Sequence, residues 1–222
     1  KKNRTADGTM LSGTAARLLM TVLLALSVLL GGCSGSSGGG TAAKEDLVEG
    51  PCGQQVMKDP GDGPYTVVDS RGDKVKFEKK PQRILTLSLG MDQIVLGLVR
   101  SDRLVAVNAL LDDPVSSNVA PLARKVPRKI KNPGAEEIFS LHPDVVIVPD
   151  WGKPEVIHML REMRILVVVT YGAKDIAEIE KNVRLIADAL GEPAKGAELV
   201  CMMRKELADV KERTDRIPAE KR

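Results

Sequence analysis

From about residue 65 onward, the hydrophobic and polar positions follow either a strand-like or a helix-like pattern. The strand-like patterns come first. Residues 65–70 and 74–77 are short arms around Arg71-Gly72-Asp73, and the second arm alternates polar and apolar side chains. This pattern predicts a β-hairpin with Gly72 in its turn. After Pro81 the apolar runs are short, continuous and β-branched, as in strands buried on both faces. The predicted strands are 84–88, 104–108, 145–149 and 165–171.

Helical patterns separate these strands. The predicted helices are 91–99, 135–141, 153–161 and 175–190. Asp175 followed by Glu178 gives the last helix a start like a capping box, and Gly191 ends it. Because strands and helices alternate, the sequence predicts an α/β fold in which helices cover both faces of a parallel sheet.

A second helical pattern follows Gly191. Pro193 fits its first turn, and apolar residues at 199, 203, 207 and 210 extend it to about Thr214. At 1.5 Å per residue this helix is about 30 Å long, which is about the width of a small domain. A helix of that length at the end of a lobe is suited to connecting it to another unit, so we expect a further element after Arg222.

The first 63 residues have the composition of a secretion signal and a linker. Basic residues precede an apolar run at 18–30, which is too short for the roughly 20 residues of a membrane span. The run ends in Leu30-Gly31-Gly32-Cys33, which resembles the lipobox of bacterial lipoproteins. We expect residues 1–33 to be a lipoprotein signal peptide with lipidation at Cys33. Residues 34–63, rich in Gly, Ser and Pro, would then form a flexible tether.

This signal predicts an extracytoplasmic protein that is lipid-anchored to the cell membrane, either at the cell surface or in the periplasm. Two cysteines remain besides Cys33. Cys52 lies in the predicted tether and Cys201 in the long helix, so we expect two unpaired thiols, although a disulfide between them is possible in this compartment.

Composition excludes several classes of protein. The 222 residues are 43% hydrophobic and 28% charged, which excludes a wholly disordered chain, and three cysteines exclude a small disulfide scaffold. A net charge of +3 and 2% aromatic residues argue against nucleic-acid binding. The two histidines, His142 and His158, have no partner at a metal-binding spacing, so we expect both to be surface or capping residues and predict no metal site.

Ligands of open parallel sheets bind beyond the carboxyl ends of the strands. The only Trp follows one predicted strand and one of the two Tyr ends another, although a Trp there could instead pack against a neighbouring loop. The segment 109–134 is long for a connection and is therefore expected to be functional or disordered. The candidate ligand-binding residues are Ser88, Met91, Asp92, Asn108, Asp150, Trp151 and Tyr171.

A basic run lies within the segment 109–134. It is interpreted as a solvated face, or else as a surface that attracts an anionic ligand or lipid headgroups. Its residues are Arg124, Lys125, Arg128, Lys129 and Lys131.

Two segments resemble a known family. Residues 81–88, PQRILTLS, are similar to the entry strand of the substrate-binding lipoproteins of ABC importers for iron–siderophore, heme and cobalamin. Residues 135–147, AEEIFSLHPDVVI, are similar to a second motif of that family, which is the more specific of the two. The lipobox, the hairpin and the long helix occur in the family's order, and the resemblance covers about residues 64–222.

The resemblance implies two α/β lobes joined by one long helix, with the ligand between them. Residues 64–190 would be the N-terminal lobe and 191–222 the connecting helix, so that the second lobe is absent from this chain. It also implies that an acidic residue on the lobe, here Glu136 or else Glu137, docks onto arginines of the permease. The alternative is that both acids favour the dipole of the following helix.

The implied function is that of a monomeric solute-binding protein, without catalysis or a cofactor, that delivers a small-molecule metal chelate to an ABC permease. Histidine ligand sets for bare metal ions are missing, which favours a chelated iron, either siderophore or heme, or a corrinoid. Cobalamin-binding relatives have cleft aromatics where this chain has Leu110, Ile130 and Pro149, so cobalamin is the weaker choice.

Two other functions remain open from the sequence. A secreted α/β enzyme of chelatase-like type would need a cluster of ionisable side chains at the strand ends, for which acids but no His or Lys partner are available. A surface adhesin or sensor could use the same fold. The acids in question are Asp92, Asp112, Asp113 and Asp150.

Overall fold

A computed structural model describes residues 47–218, so the predicted signal peptide, Cys33 and the first part of the predicted tether lie outside the described residues. The strands are β1 (Leu47–Glu49), β2 (Gln55–Met57), β3 (Tyr65–Val68), β4 (Lys74–Phe77), β5 (Ile84–Thr86), β6 (Val107–Asn108), β7 (Lys129–Ile130), β8 (Val145–Val148) and β9 (Leu166–Val169). The α-helices are α1 (Leu89–Leu98), α2 (Ala120–Ala123), α3 (Ala135–Ser140), α4 (Pro154–Glu162), α5 (Ile176–Ala189) and α6 (Pro193–Asp215).

The central sheet has three parallel strands in the order β5-β8-β9. At its β5 edge, Leu104 forms a single parallel bridge with Ile84. The predicted strand 104–108 is therefore shorter than expected, and its last two residues, β6, pair in parallel with β7 instead. The predicted parallel α/β arrangement is confirmed.

Both faces of the sheet are buried, which explains the continuously apolar strands. Alternate side chains point to opposite sides. On one side Ile84, Ile147 and Val168 pack with residues of α1 and α5, and on the other Leu85, Val146 and Val167 pack with residues of α3 and α4.

The predicted hairpin is formed by β3 and β4, with Gly72 at φ 83° in the turn. Its Tyr65 ring stacks on Phe77 with centroids 4.9 Å apart, and the Tyr65 hydroxyl donates to the Ala189 carbonyl oxygen at 2.8 Å. The Ser70 amide donates to the Val169 carbonyl oxygen at 3.0 Å. The hairpin is therefore attached to β9, and it covers that edge of the sheet.

The structure corrects the expectation for residues 47–57. Instead of continuing a flexible tether, they form the β1–β2 hairpin against α6, and Cys52 is disulfide-bonded to Cys201 with their Cα atoms 6.2 Å apart. The Gln54 side chain also donates from Nε2 to the Ala197 carbonyl oxygen at 3.0 Å. The prediction of two unpaired thiols was wrong because the two cysteines are 149 positions apart, a separation at which sequence gives no sign of contact.

Helix α6 is a single helix of 23 residues, about 35 Å long. Its first two turns are buried through Gly196, Ala197 and Val200, and Arg204 forms a bidentate ion pair with Glu180 of α5. Side chains from residue 210 to the end of the helix are exposed. The long helix predicted after Gly191 is thus present, packed along α5 at its start and extended into solvent at its end.

The connection 109–134 is ordered. It contains a 3₁₀ turn at Ala109–Asp112, α2 and β7, and it is attached to the core through Leu111, Ala123 and Val126, each fully buried. None of the helices between residues 47 and 218 has the length and apolar character needed to cross a bilayer.

Candidate functional site

The carboxyl ends of β5, β8 and β9 meet at one edge of the sheet, because the three strands are parallel. Ser88 follows β5, Asp150 and Trp151 follow β8, and Tyr171 follows β9. We call this the carboxyl edge. It collects four of the seven ligand-binding residues that the sequence predicted.

Trp151 lies in a turn closed by the Gly152 amide, which donates to the Pro149 carbonyl oxygen at 2.8 Å. Its side chain is 73% exposed, so the alternative that it packs against a neighbouring loop is wrong. An exposed indole at a sheet edge can stack on a flat ligand.

Asp150 is held beside Trp151 by two neighbours. The Arg71 guanidinium donates to the Asp150 carbonyl oxygen at 3.3 Å. The Asp150 carboxyl group lies over Gly172, where a β-carbon would overlap with it. Gly172 is therefore needed for this close approach, and the carboxylate stays exposed at the carboxyl edge.

Tyr171 is fixed through its backbone by Asn182 of α5, a residue that the sequence analysis did not single out. The Asn182 side chain accepts from the Tyr171 amide at 2.7 Å and donates to its carbonyl oxygen at 2.9 Å. The Lys181 ammonium lies 5.9 Å from the centre of the Tyr171 ring. The available signal was a polar residue inside the apolar stripe of a helix, which usually has a specific buried partner.

Asp92 and Met91 differ from the expectation that they face a ligand. Asp92 has no exposed surface and Met91 is 8% exposed. The Asp92 carboxylate accepts from the Thr86 hydroxyl at 2.6 Å and from the Asn108 amide at 2.8 Å. Burial raises the pKa of Asp92 to about 7, although both hydrogen bonds and Lys129 oppose the shift. Asp92 thus ties the end of β5 to the end of β6 rather than contacting a ligand.

Asn108, half-buried at the end of β6, starts the following 3₁₀ turn. Its side-chain oxygen accepts from the Leu110 amide at 2.9 Å. Leu110 is 57% exposed, so this turn presents an apolar side chain to solvent close to the end of β6. The position of Asn108 therefore depends on Asp92, which holds its amide.

The two segments that resemble the importer lipoproteins meet in one hydrogen-bond network. Arg83 donates from Nε to the His142 carbonyl oxygen at 2.7 Å and from Nη2 to the Leu141 carbonyl oxygen at 2.6 Å. Asp144 accepts from the Gln82 and Arg83 amides at 2.8 and 2.9 Å. The network joins the start of β5 to the end of α3 and the start of β8. These motif residues hold the fold at the edge opposite to the carboxyl edge.

Both histidines are exposed, and His142 follows α3 with a φ of 48°. His158 pairs with Glu162 on the surface of α4 at 3.2 Å.

Glu136 and Glu137 lie in the first turn of α3, both exposed. Within residues 47–218, neither carboxylate forms an ion pair. They are thus available for contact with a basic surface, and they also lie where acidic groups favour the helix dipole.

The acids considered for an enzyme do not converge. Asp92 is buried, Asp112 pairs with the Lys129 ammonium at 2.8 Å, and Asp113 accepts from the Val115 amide and the Ser116 hydroxyl. Only Asp150 is at the carboxyl edge. In residues 47–218 no group of three or more His, Cys, Asp or Glu side chains is arranged to hold a metal ion.

A separate surface depression of about 440 Å³ lies at the end of α1 away from Ser88. It is lined by Leu96, Val99, Arg100, Ser101, Asp102, Leu122 and Lys125. It therefore does not belong to the carboxyl edge.

Comparison with known proteins gives consistent matches. The chain is 26% identical over 159 residues to an uncharacterized ABC transporter substrate-binding lipoprotein, YvrC of Bacillus subtilis, covering 69% of this chain and 48% of YvrC. The crystal structure of the heme binding protein HmuT matches with a TM-score of 0.53 and 26% identity, covering 70% of this chain and 55% of HmuT. A periplasmic solute binding protein from Veillonella parvula matches with a TM-score of 0.60 and 24% identity, covering 71% of this chain and 50% of that protein.

The chain therefore spans about half the length of the relatives that it matches. The family model described as periplasmic binding protein matches residues 84–222, which is more than half of the chain. Its match begins at β5 and includes the whole sheet and α6. The chain belongs to the periplasmic binding protein family.

Proposed function

We propose that this protein is the solute-binding component of an ABC importer and that the carboxyl edge is one wall of its binding site. The observation that carries the proposal is the exposed Trp151, held beside Asp150 at the edge where three parallel strands end. An indole face beside a carboxylate suits a ligand with a flat or apolar body and polar substituents.

The proposed ligand is a chelated iron, either heme or a ferric siderophore. A chelate keeps its own organic ligands, so the protein needs to supply surface contacts rather than a set of metal-binding side chains. HmuT is a heme binding protein, which supports this choice. The exposed Leu110 and Trp151 supply apolar contact area at or near the carboxyl edge, and Tyr171 supplies a half-buried ring.

Fluorescence of Trp151, the only tryptophan in the chain, tests the ligand. Hemin and a ferric siderophore are titrated into the protein, and the expected result is saturable quenching of the indole emission by one of them. The Trp151→Phe variant is the control, because it removes the signal while the visible spectrum of the chelate still reports binding. Absence of saturable binding of either chelate by both readouts contradicts the assignment.

We further propose delivery to a permease through Glu136, with Glu137 as the less favoured residue. Both are exposed on α3, where a carboxylate can form charge-assisted bonds to arginines of a partner. Glu136→Arg is expected to reduce uptake of the chelate at least tenfold without changing ligand affinity. The exposed Glu155→Arg change on α4 is the matched control. If Glu136→Arg leaves uptake unchanged, docking through this residue is wrong.

The proposal includes a lipid anchor at Cys33, which lies outside the described residues. A labelled fatty acid is expected to be incorporated into the protein in bacterial cells and to be lost in Cys33→Ser. Incorporation that survives this change places the anchor elsewhere.

A further inference from the structure

Residues 114–135 form a strongly basic segment of the chain. They contain five basic and no acidic side chains. Because the formal net charge of the whole chain is +3, the remainder carries a net charge of −2. Attraction of an anionic surface to this segment therefore depends on where its side chains point rather than on the small net charge of the chain.

The fold turns the charged side chains of the segment outward. Ala120, Ala123 and Val126 are buried at 3%, 0% and 0% exposure. The chain between them is held by backbone hydrogen bonds, from the Arg124 amide to the Ala120 carbonyl oxygen and from the Val126 amide to the Ala123 carbonyl oxygen. Because these small residues anchor the turn, the side chains between them are presented to solvent. They are Leu122, Arg124 and Lys125.

The depression at the end of α1 lies beside this charged segment. Its lining includes Arg100, Lys125 and Leu122, and Leu122 is 38% exposed. Arg128 is also exposed one turn further along. We call this surface the basic patch, formed by Arg100, Leu122, Arg124, Lys125 and Arg128.

One acid, Asp102, lines the depression beside the basic patch. The Asp102 carboxylate pairs with the Arg100 guanidinium at 2.5 Å and both side chains are largely exposed. Lys129 does not contribute, since its ammonium is held by Asp112 and by the Ala123 carbonyl oxygen. The exposed cations Arg124, Lys125 and Arg128 form no ion pair within residues 47–218.

We propose that the basic patch is a contact surface for an anionic phospholipid membrane. Several exposed cations without ion-pair partners in the described part of the chain, spread around the partly exposed Leu122, are complementary to a layer of phosphate headgroups. A site for one small anion would instead use buried and converging donors, and the patch side chains are exposed and spread. The proposal is independent of the solute and of a lipid at Cys33.

The position of the basic patch determines how the protein would be oriented on the membrane. Helix α1 begins directly after Ser88, on the carboxyl edge, and ends at the depression. A lobe that rests on the membrane through the patch therefore turns its carboxyl edge away from the lipid. The proposed solute wall is then open to the surrounding solution.

Vesicle co-sedimentation of the full chain tests the proposal. One set of vesicles is phosphatidylcholine alone, and in the other set part of it is replaced by phosphatidylglycerol. The double variant Arg124→Gln/Lys125→Gln is expected to bind the anionic vesicles about 30-fold more weakly than the unmodified protein, at about fivefold per charge. Its binding to neutral vesicles should be unchanged. The difference should disappear near 1 M salt, where screening acts within about 3 Å.

The matched control is Lys205→Gln/Arg213→Gln, which removes two exposed cations from α6. It should bind anionic vesicles within about twofold of the unmodified protein. A second variant, Asp102→Asn, removes the acid beside the patch and should strengthen binding several-fold. Because Asp102 is exposed, the change should leave the fold intact, and the gain should be confined to the anionic vesicles, whereas misfolded protein would also sediment with the neutral ones.

Three outcomes overturn the proposal. The first is equal loss of binding in the patch variant and the α6 control, which would mean that only total charge matters. The second is equal binding of the unmodified protein and the patch variant to anionic vesicles. The third is unchanged or weaker binding after Asp102→Asn.

Discussion

The carboxyl group of Asp92 is enclosed where β5 ends, and burial raises its pKa from a usual value near 3.8 to about 7. Between these values the unfolded chain has released the proton while the folded protein still holds it. Unfolding is therefore favoured as the pH rises through this window, by up to about 1.4 kcal/mol per pH unit for this group. Well above pH 7 Asp92 is ionised in both the folded and the unfolded state, and the free energy of unfolding no longer falls on its account.

We predict that Asp92→Asn weakens this pH dependence. The amide can accept from the Asn108 amide and donate to the Thr86 hydroxyl oxygen, as the protonated acid can. Urea unfolding between pH 4 and pH 8 should show a shallower fall of the free energy of unfolding than in the unmodified protein. Asp188, whose pKa burial also raises to about 7, keeps its own contribution. An unchanged slope in Asp92→Asn would show that Asp92 ionises normally in the folded protein.

The location of a single residue could be predicted from the sequence where it follows directly from the neighbouring element. Trp151 and Asp150 follow a buried strand, so their place at the carboxyl edge could be predicted. The burial of Asp92 could not, because it depends on the direction of one turn of α1 and on the Asn108 amide, which is 16 positions away. The disulfide between Cys52 and Cys201 could not be predicted either, because the two residues are far apart along the chain.

At the scale of elements, the contact between α5 and α6 depends on Gly196. A β-carbon there would overlap with the β-carbon of Ala187, so the two helices approach each other only because Gly196 has no side chain. Gly97 of α1 is a contrasting position, where a β-carbon would lie 3.8 Å from Leu199.

We predict that Gly196→Ala destabilises the protein by about 1–3 kcal/mol, because overpacking outweighs the higher helix propensity of Ala. The control Gly97→Ala should be neutral or stabilising by up to about 1 kcal/mol, since its new methyl group has room. Thermal and urea unfolding of both variants measure the difference. Equal effects would show that the helices are not closely packed at Gly196.

The disulfide between the β1–β2 hairpin and α6 predicts a thiol count. The unacylated chain, unfolded without reductant, should titrate one thiol of its three cysteines, and Cys33→Ser should titrate none. The double variant Cys52→Ser/Cys201→Ser should lose about 2–5 kcal/mol of stability. It should also exchange the amides of residues 47–57 faster. Three reactive thiols in the unacylated chain would contradict the bond.

Elements with a strong periodic pattern were predicted from the sequence, and weak ones were not. The strands β5, β8 and β9 are continuously apolar, and α5 has a regular apolar stripe, so local patterns specify them. The two-residue strand β7 lies inside a basic run, and its pairing with β6 depends on the surrounding core. The β1–β2 hairpin cannot be predicted from its local pattern, because the surrounding sequence is rich in Gly and Pro and is typical of a tether.

At the scale of the whole molecule, the carboxyl edge is a single wall. Trp151 is exposed and no element of residues 47–218 covers it, so a chelate bound there keeps much of its surface in water. We predict that a polypeptide of residues 1–222 binds hemin at least about 100-fold more weakly than HmuT, because less ligand surface is buried. Isothermal titration with both proteins measures this. Equal affinity would mean that the carboxyl edge alone suffices for tight binding.

The covalent bond between Cys52 and Cys201 also determines which part of the protein carries mechanical load. Every strand from β2 to β9 and helices α1 to α5 lie within the loop that this bond closes. When the two ends of the polypeptide are pulled apart, tension passes from the segment before Cys52 directly into the end of α6. The sheet and its carboxyl edge bear none of that force, so pulling on the segment before Cys52 leaves the proposed solute wall undeformed.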